Sequence, residues 1–322
     1  MDYQYEGVVT ALSSISHIGE TVGVNAKLRR EKLVTPNGIE EVPVISGNSL
    51  RGQLRDAGML YMCRQLGYAT NGHQVQGLPL PAFYFLFSGG SLTKVGDRAL
   101  DIDAARELRT LIPLVSVFGG AMGNQIMEGK LTVGKLYPIC QETAFRLPPR
   151  FLPTSGSLPS VWELLQEEAY TRRDDEKVER LRQLIAPEAR ALLEAEAGAK
   201  RAQARGGDNL DTDVGQHQQM RYYVETFAAG TQFYWRLGLR DVNDIEWEAF
   251  LSALIEFSKW PHIGGMSRAG LGEVSVSFDR WVEIDSRVAV EERDVALPVG
   301  TAYHQHLDSH GAQIRSLLDA MS

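Results

Sequence analysis

Residues Val42–Gly67 read VPVISGNSLRGQLRDAGMLYMCRQLG, and their pattern predicts a helix around which the rest of the chain can be interpreted. After a short apolar approach, apolar residues recur every three or four positions at Leu50, Leu54, Ala57 and Tyr61. This spacing indicates one stripe of an amphipathic helix. Ser46 or Asn48 can cap its start, and Gly67 can end it.

Two arginines of this helix suggest a function. Arg51 and Arg55 are one turn apart, so they share a face beside the apolar stripe. Free backbone N–H groups at a helix start, the helix dipole and nearby arginines together form a phosphate site. An ordinary capped helix with exposed arginines is the alternative interpretation.

The residues before this helix predict a strand and a basic loop. Gln4–Ser14 is rich in Val, Tyr, Thr and Leu, as strands are, and a polar loop is expected from Ser16 to Glu41. Within it, KLRREK (residues 27–32) carries a local charge of +3 in an otherwise acidic chain. A solvated charge run is the alternative to a binding segment.

The residues after the helix predict further strands and a second helix. Lys130–Ile139 alternates as a strand does, and Met220–Ala228 and Thr231–Leu239 are expected to form a hairpin through Ala229-Gly230. A helix capped by Asp244 and a strand over Glu273–Phe278 follow. The resulting order is strand, helix, strand, strand, helix, strand, which is typical of an α+β fold with a ferredoxin-like, RNA-recognition-motif core.

Two insertions interrupt this order within one domain spanning residues 1–322. Residues 68–117 predict a helical insertion, and residues 147–219 a highly charged one. The second ends in a polar stretch, Arg205–Gln219, which is our suggestion for a thumb-like element. The acidic C-terminal tail shows no clear pattern.

Two glycine-rich segments could let a backbone approach a phosphate chain closely. They are FGGAMGNQ at residues 118–125 and GGMSRAGLG at residues 264–272. Neither contains the lysine pattern of a nucleotide-binding loop, and the second lies between a helix and a strand, the reverse of the dinucleotide-binding order. Ordinary flexible connections remain an alternative, as does a small-molecule phosphate-binding enzyme.

Composition excludes several classes of protein. With 41 acidic and 33 basic residues the formal net charge is −8, so any site for an anion must be a local patch. Two cysteines cannot form a disulfide framework or a zinc site. HQHLDSH, residues 304–310, departs by one residue from a metallo-hydrolase signature, so we expect neither metal nor cofactor. No signal peptide or membrane span is predicted, which favours a cytoplasmic protein.

Several of these segments, in this order, resemble a known family. They are VPVISGNSLRGQLRD, the FGG at residues 118–120 with KLTVGKLYPI, AGTQFYWRL and GGMSRAGLGEV. Together they resemble the CRISPR-associated RAMP proteins that form the repeated backbone of RNA-guided complexes, the Cas seven-like group. SHIGETVGVNAKLRREKLV followed by EEVPVISGNSLRG is most similar to the backbone subunit of type IV systems. The resemblance spans most of residues 1–280.

The resemblance implies a modified RNA-recognition-motif palm with fingers and a thumb. Such subunits polymerise as a helical filament along a CRISPR guide RNA, and each copy grips the sugar-phosphate backbone without reading sequence. The implied partners are the guide RNA, further copies of the chain, a large subunit and a repeat-end-binding RAMP subunit, with a helicase as an additional candidate. Target nucleic acid would be recognised by pairing with the guide.

We expect the RNA contacts to come from the basic, small polar and glycine residues of these segments. They are Lys27, Arg29, Arg30, Lys32, Gly47, Asn48, Ser49, Arg51, Arg55, Gly119, Gly120, Gly264, Gly265, Ser267 and Arg268.

One departure from the family bears on catalysis. The type III relatives cut RNA with an Asp between the first strand and the first helix, but here no Asp occurs between Asp2 and Asp56. A non-catalytic subunit is therefore expected. The alternative is a metal-dependent RNA endonuclease that uses Glu20 or a neighbouring acid, Glu31, Glu40 or Glu41.

Overall fold

The structure is a computed structural model that describes most of the 322 residues. The described residues are 1–36, 38–68, 77–90, 102–122, 125–171, 221–284, 291–293 and 301–321, with the single positions 186, 191 and 195. The suggested thumb at Arg205–Gln219 and the charged helical sequences before it lie outside the described residues.

The described elements confirm an α+β architecture. The helices are α1 (Gly47–Gln65), α2 (Leu80–Ser88), α3 (Ile102–Leu111), α4 (Pro113–Phe118), α5 (Asp244–Ser258) and α6 (Thr301–Asp319). The strands are β1 (Asp2–Ala11), β2 (Ile18–Val22), β3 (Asn25–Leu28), β4 (Arg30–Thr35), β5 (Gly38–Pro43), β6 (Gly120–Met122), β7 (Gln125–Met127), β8 (Leu131–Val133), β9 (Tyr137–Pro138), β10 (Leu165–Thr171), β11 (Arg221–Phe227), β12 (Gln232–Leu239), β13 (Val274–Ile284) and β14 (Glu291–Arg293).

An antiparallel sheet forms the centre of the molecule, with strand order β14-β13-β1-β12-β8 and β9 also paired to β12. β1 lies between β12 and β13, and Tyr5 is opposite Leu237 on one side and Trp281 on the other. Alternate residues of β1, among them Tyr5 and Val9, are buried in the main hydrophobic core. The strand predicted from composition over Gln4–Ser14 is therefore confirmed, and its alternate burial reflects the two faces of the sheet.

Helices α1 and α5 pack together and share this core. The Tyr3 ring stacks on Trp247 of α5 at 5.0 Å between centroids, and the Trp247 indole N–H donates to the Tyr5 hydroxyl at 2.7 Å. Gly58 of α1 lies so close to Ala253 of α5 that a Cβ on the glycine would come within 2.9 Å of the alanine methyl. This close packing fixes α1, and with it the two arginines, relative to the sheet.

The segment between β1 and α1 was predicted as a polar loop, and this prediction is wrong. It forms the two antiparallel pairs β2–β3 and β4–β5 instead. Val22, Val34 and Ile39 are exposed on these hairpins, and only a few apolar residues, such as Leu33 and Val42, are buried. The sequence therefore shows no regular alternation from which the strands could be recognised.

The predicted hairpin over residues 220–239 is also wrong in its pairing. Both strands exist, but β11 joins β10 and β3 in a separate sheet, order β10-β11-β3-β2, whereas β12 joins the central sheet. The turn at Ala229-Gly230 thus links two sheets. The alternation of apolar residues along a strand indicates which face is buried, but it does not indicate which other strand lies next to it in a sheet.

Three smaller expectations also change. The strand predicted over Lys130–Ile139 breaks between β8 and β9, where Leu136 turns inward to bond with Ile45. Asn243, not Asp244, caps α5. The patternless tail contains α6, which buries Tyr303, Leu307 and Ile314 in the main core. Ser46 as the α1 cap is confirmed.

Candidate nucleic-acid interface

Two hydrogen bonds hold the start of α1. The Ser46 hydroxyl accepts the N–H of Ser49 at 3.2 Å, and His17 Nε2 accepts the N–H of Ser46 at 3.1 Å. Asn48, in the first turn, is exposed. The helix therefore presents its positive end at the surface beside the segment that follows β1.

The glycine-rich loop at residues 264–272 is bonded to that same segment. Gly265 N–H donates to the Ser16 carbonyl and Gly272 N–H to the Ser14 carbonyl, both at 2.8 Å. Ser267 and Arg268 are exposed on the turn between these bonds. Residues 14–17 therefore link the loop bearing Arg268 to the start of α1.

A groove of about 920 Å³ runs along the exposed side of α1. Arg51 and Arg55 line it together with the apolar side chains of Phe87 and Phe118. The remaining lining residues are Asn48, Gly52, Ser88, Gly89, Gly90, Gly120, Ala121, Ile126, Met127, Glu128 and Gly129. Asn48, Arg51, Arg55 and Gly120, which the sequence proposed from separate motifs, therefore meet in one place.

The two arginines are anchored by backbone carbonyls. Arg55 donates to the carbonyls of Phe118 and Gly119 at 2.7 and 3.0 Å, and Arg51 donates to Phe118 at 2.5 Å. Burial, together with the neighbouring Arg51 charge, lowers the pKa of Arg55 to about 10. Arg55 therefore stays protonated at neutral pH although only 9% of it is exposed.

The groove carries charge of both signs, because Glu128 lines it together with the two arginines. Among the described residues, neither Arg51 nor Arg55 forms an ion pair, and Arg55 Nη1 and Arg51 Nε are buried nitrogens with no hydrogen-bond acceptor. Buried donors without acceptors are costly, and an anionic oxygen would satisfy them. The groove is suited to one or more phosphate oxygens.

The basic run 27–32 divides into two groups. Lys27 and Arg29 are exposed and form no ion pair within the described part of the chain. Arg30 pairs with Glu225 at 2.6 Å, and Lys32 lies 3.7 Å from Glu41. The first two are therefore freer to meet an external phosphate than the last two.

The glycines of the predicted site have contacts within the chain itself. A Cβ at Gly47, Gly119 or Gly264 would come within 2.2–2.6 Å of a backbone oxygen, those of Val133, Met127 and Ser16. Gly120 faces the Phe85 ring, whereas Gly265 has nothing closer than 4.0 Å. Backbone packing thus explains the first three glycines, and their approach to RNA stays a prediction.

His17 connects the parts of this surface. Its Nε2 accepts a hydrogen bond, so the ring is neutral in this arrangement. Burial lowers the pKa of His17, and the nearby positive charge of Arg29 lowers it further. Because sequence alone gave only a lone histidine, this connecting role was missed.

The acids proposed for cleavage are dispersed. Glu31 binds Lys135 and Tyr137, Glu41 lies beside Lys32, and Glu20 is exposed on β2. Within the described residues, no three His, Cys, Asp or Glu side chains are grouped to hold a metal ion.

In the same part of the chain, no helix is long and apolar enough to cross a membrane.

Comparison with known proteins finds a similar fold. No family model and no curated protein matches the chain. A chain in the solved structure described as "Type IV-B CRISPR Complex" aligns with a TM-score of 0.54 and 23% identity, covering 86% of this chain and 90% of that one. This similarity confirms the predicted resemblance at the level of the fold. Thermofilum pendens Csc2 aligns over 99% of this chain and 80% of its own at 15% identity, with a TM-score of 0.38 that is too low to support a conclusion.

Proposed function

We propose that this chain is an RNA-binding backbone subunit of a type IV CRISPR effector complex. Copies of the chain assemble as a helical filament along a guide RNA. Each copy binds the sugar-phosphate backbone, while target recognition depends on pairing by the guide. The fold shared with a chain of a type IV-B CRISPR complex supports this proposal.

The proposed core is a modified RNA-recognition motif. Leaving out the intervening elements, β1, α1, β8, β12, α5 and β13 follow one another in the chain. The observed order of these four strands in the sheet is β13-β1-β12-β8. If they are numbered one to four by their position in the chain, the order across the sheet is 4-1-3-2. This order supports a ferredoxin-like core with residues 68–117 and 147–219 as insertions into a single domain.

The observation that carries the proposal is the joining of three distant segments on one surface. Residues 14–17 bond to the start of α1 through His17 and to the loop of Arg268 through Ser14 and Ser16. Arg29 N–H donates to the His17 carbonyl at 2.8 Å. We propose that Arg29, Arg51 and Arg268 share one basic surface. A net charge of −8 is compatible with RNA binding, because only this surface needs to be basic.

We propose phosphate contact as the basis of binding, and the salt dependence of affinity tests it. For single strands, each phosphate contact adds roughly −0.7 to the slope of log K against log salt. We expect the combined variant Arg29→Ala, Arg51→Ala and Arg268→Ala to lower the magnitude of that slope by about 2. Fluorescence anisotropy with a labelled single-stranded RNA carrying a CRISPR repeat provides the measurement.

The control is a second triple variant that removes the same number of positive charges from other positions. Arg106, Arg236 and Arg240 are exposed on other elements, so replacing all three with alanine changes the net charge by the same amount. We expect this variant to keep the wild-type slope. Equal slopes for the wild type and both variants, with both variants folded, would contradict the proposed surface.

We also propose that the subunit does not cleave RNA. The support is that the sequence has no Asp between β1 and α1, and that Glu31 is engaged by Lys135 and Tyr137. The assembled complex with added magnesium should leave a guide-complementary RNA intact. Cleavage at regular intervals that disappears in Glu20→Ala would instead support the endonuclease alternative.

A further inference from the structure

An exposed tryptophan stands at the end of α5, outside the groove. Trp260 is 73% exposed, an unusual position for the largest apolar side chain. Its ring stacks on His262 with centroids 4.6 Å apart and planes inclined by 13°. One face of the indole is thus covered by the imidazole, while the high exposure leaves the other face open to solvent.

The backbone that carries the two stacked rings is itself held by hydrogen bonds. His262 N–H donates to the Trp260 carbonyl at 2.9 Å, and Trp260 N–H donates to Phe257 at 3.1 Å. The backbone of His262 also pairs with that of Glu273 in an isolated antiparallel β-bridge beside the start of β13. A ring ordered in this way loses little conformational freedom when a second flat group stacks on it.

The platform adjoins the proposed phosphate surface. Trp260 and His262 immediately precede the loop at residues 264–272, whose Gly265 and Gly272 are bonded to residues 14–16. Arg268 is exposed on that loop. A chain whose phosphates lie along this loop would bring its bases within reach of the indole.

We propose that the open face of Trp260 stacks an unpaired base of the bound RNA. This inference rests on the proposed function and adds a base-contacting group to a surface otherwise made of phosphate contacts. An indole stacks on any base, so the contact preserves sequence-neutral binding. The His262 ring beneath it acts as a positioning residue that keeps the indole flat and oriented.

The surroundings favour a base over an apolar protein partner. Residues 221–278 are all described, and within them Trp260 is the only large apolar side chain that is exposed. On the neighbouring segment, Leu12 is a second exposed apolar residue, and its N–H donates to the Glu273 carbonyl at 2.8 Å. Apolar protein interfaces are contiguous patches. The adjacent residues Ser258 and Lys259 are polar and exposed, which suits an isolated stacking contact at the edge of a nucleic-acid path.

The test measures the affinity of the wild-type chain and its variants for two oligomers of the same length. One is a single-stranded RNA, and the other is its abasic ribose-phosphate counterpart. We expect Trp260→Ala to weaken binding of the base-bearing RNA by about 5- to 140-fold, the range known for single stacked bases, while binding of the abasic oligomer stays unchanged. Trp260→Phe should restore most of the loss, because it retains a flat aromatic face.

Phe145→Ala serves as the control, since Phe145 is also an exposed aromatic, 49% accessible, on the segment between β9 and β10. This substitution should change neither the affinity for the single-stranded RNA nor the affinity for the abasic oligomer. Unchanged RNA binding by Trp260→Ala, or an equal loss for both oligomers, would overturn the stacking contact while leaving the phosphate grip intact. A change confined to the size of the assembly would overturn it in favour of a protein contact. A wild-type chain that binds neither oligomer would contradict the proposed function itself.

Discussion

Arg55 contributes to the fold and also belongs to the proposed RNA-binding site. Its guanidinium is buried against the carbonyls that end α4, and one of its nitrogens remains without an acceptor. We expect Arg55→Ala to lower the free energy of unfolding by about 1–3 kcal/mol, because it leaves the Phe118 and Gly119 carbonyls with fewer donors. Urea unfolding at neutral pH measures this change.

Arg106→Ala is the matched substitution at the surface. Arg106 is exposed and 3.3 Å from Asp103, so its removal should cost less than about 1 kcal/mol. Equal stabilities of the Arg55 and Arg106 variants would contradict the anchoring role assigned to Arg55.

His17 predicts a pH dependence of stability. Its pKa in the folded chain lies below the ordinary 6.5, so between these two pKa values the unfolded chain binds more protons than the folded one. Stability should therefore fall as the pH drops below about 6.5. His17→Gln keeps an acceptor for the Ser46 N–H but does not titrate, so this part of the loss should disappear.

Unfolding between pH 7 and pH 5 isolates this effect. The described carboxylates with resolved downward shifts, such as Glu6, Glu31 and Glu246, have pKa values below 4.5 and stay ionised over most of this range. Parallel stability curves for the wild type and His17→Gln would show that His17 does not contribute as described.

Among the elements, α1 is the one whose position matters most to the site. Gly58 permits its close contact with α5, since a Cβ there would come within 2.9 Å of Ala253 and 3.3 Å of Leu114. We expect Gly58→Leu to destabilise the protein by about 1–3 kcal/mol through overpacking. Thermal or urea unfolding reports the loss.

Gly52 provides a control on the same helix. A Cβ at Gly52 has open space around it, so Gly52→Ala should stabilise the helix by about 0.5–1 kcal/mol. If both substitutions shifted stability equally, the close approach of α1 and α5 would not be the reason for the glycine at residue 58.

The elements differ in how far sequence predicts them. Helix α1 follows from its apolar spacing, its Ser46 cap and the glycine after its end. The pairs β2–β3 and β4–β5 could not be predicted, because residues such as Val34 and Ile39 are exposed and give no alternation with burial. Helix α6 was missed because its buried face is interrupted by polar residues, including the buried His306.

At the scale of the whole molecule, the sequence indicated which segments matter but not how they meet. The helix start, the basic run and the glycine-rich loop were each recognisable as motifs. Their joining depends on bonds between residues as distant as Ser16 and Gly265, which local patterns do not encode. The Phe87 wall of the groove and the Trp260 platform were likewise missed, since an apolar residue in a sequence is more often core.

At the same scale, the distribution of charge makes the proposed RNA binding compatible with an acidic chain. The described carboxylates Glu31, Glu225 and Glu246 are engaged by basic side chains, whereas Arg51 and Arg55 have no such partner in the described chain. Local charge, not the total of −8, therefore governs the interface. The proposed function consequently requires the chain to acquire RNA and to assemble upon it.

Size-exclusion chromatography of the purified chain, with absorbance recorded at 260 and 280 nm, tests this requirement most directly. The chain is examined as purified and after addition of a single-stranded RNA carrying a CRISPR repeat, each before and after ribonuclease treatment. We predict a large, RNA-containing species that collapses to a small protein species when the RNA is digested. A chain that remains a nucleic-acid-free monomer even with the added RNA would contradict the proposed function.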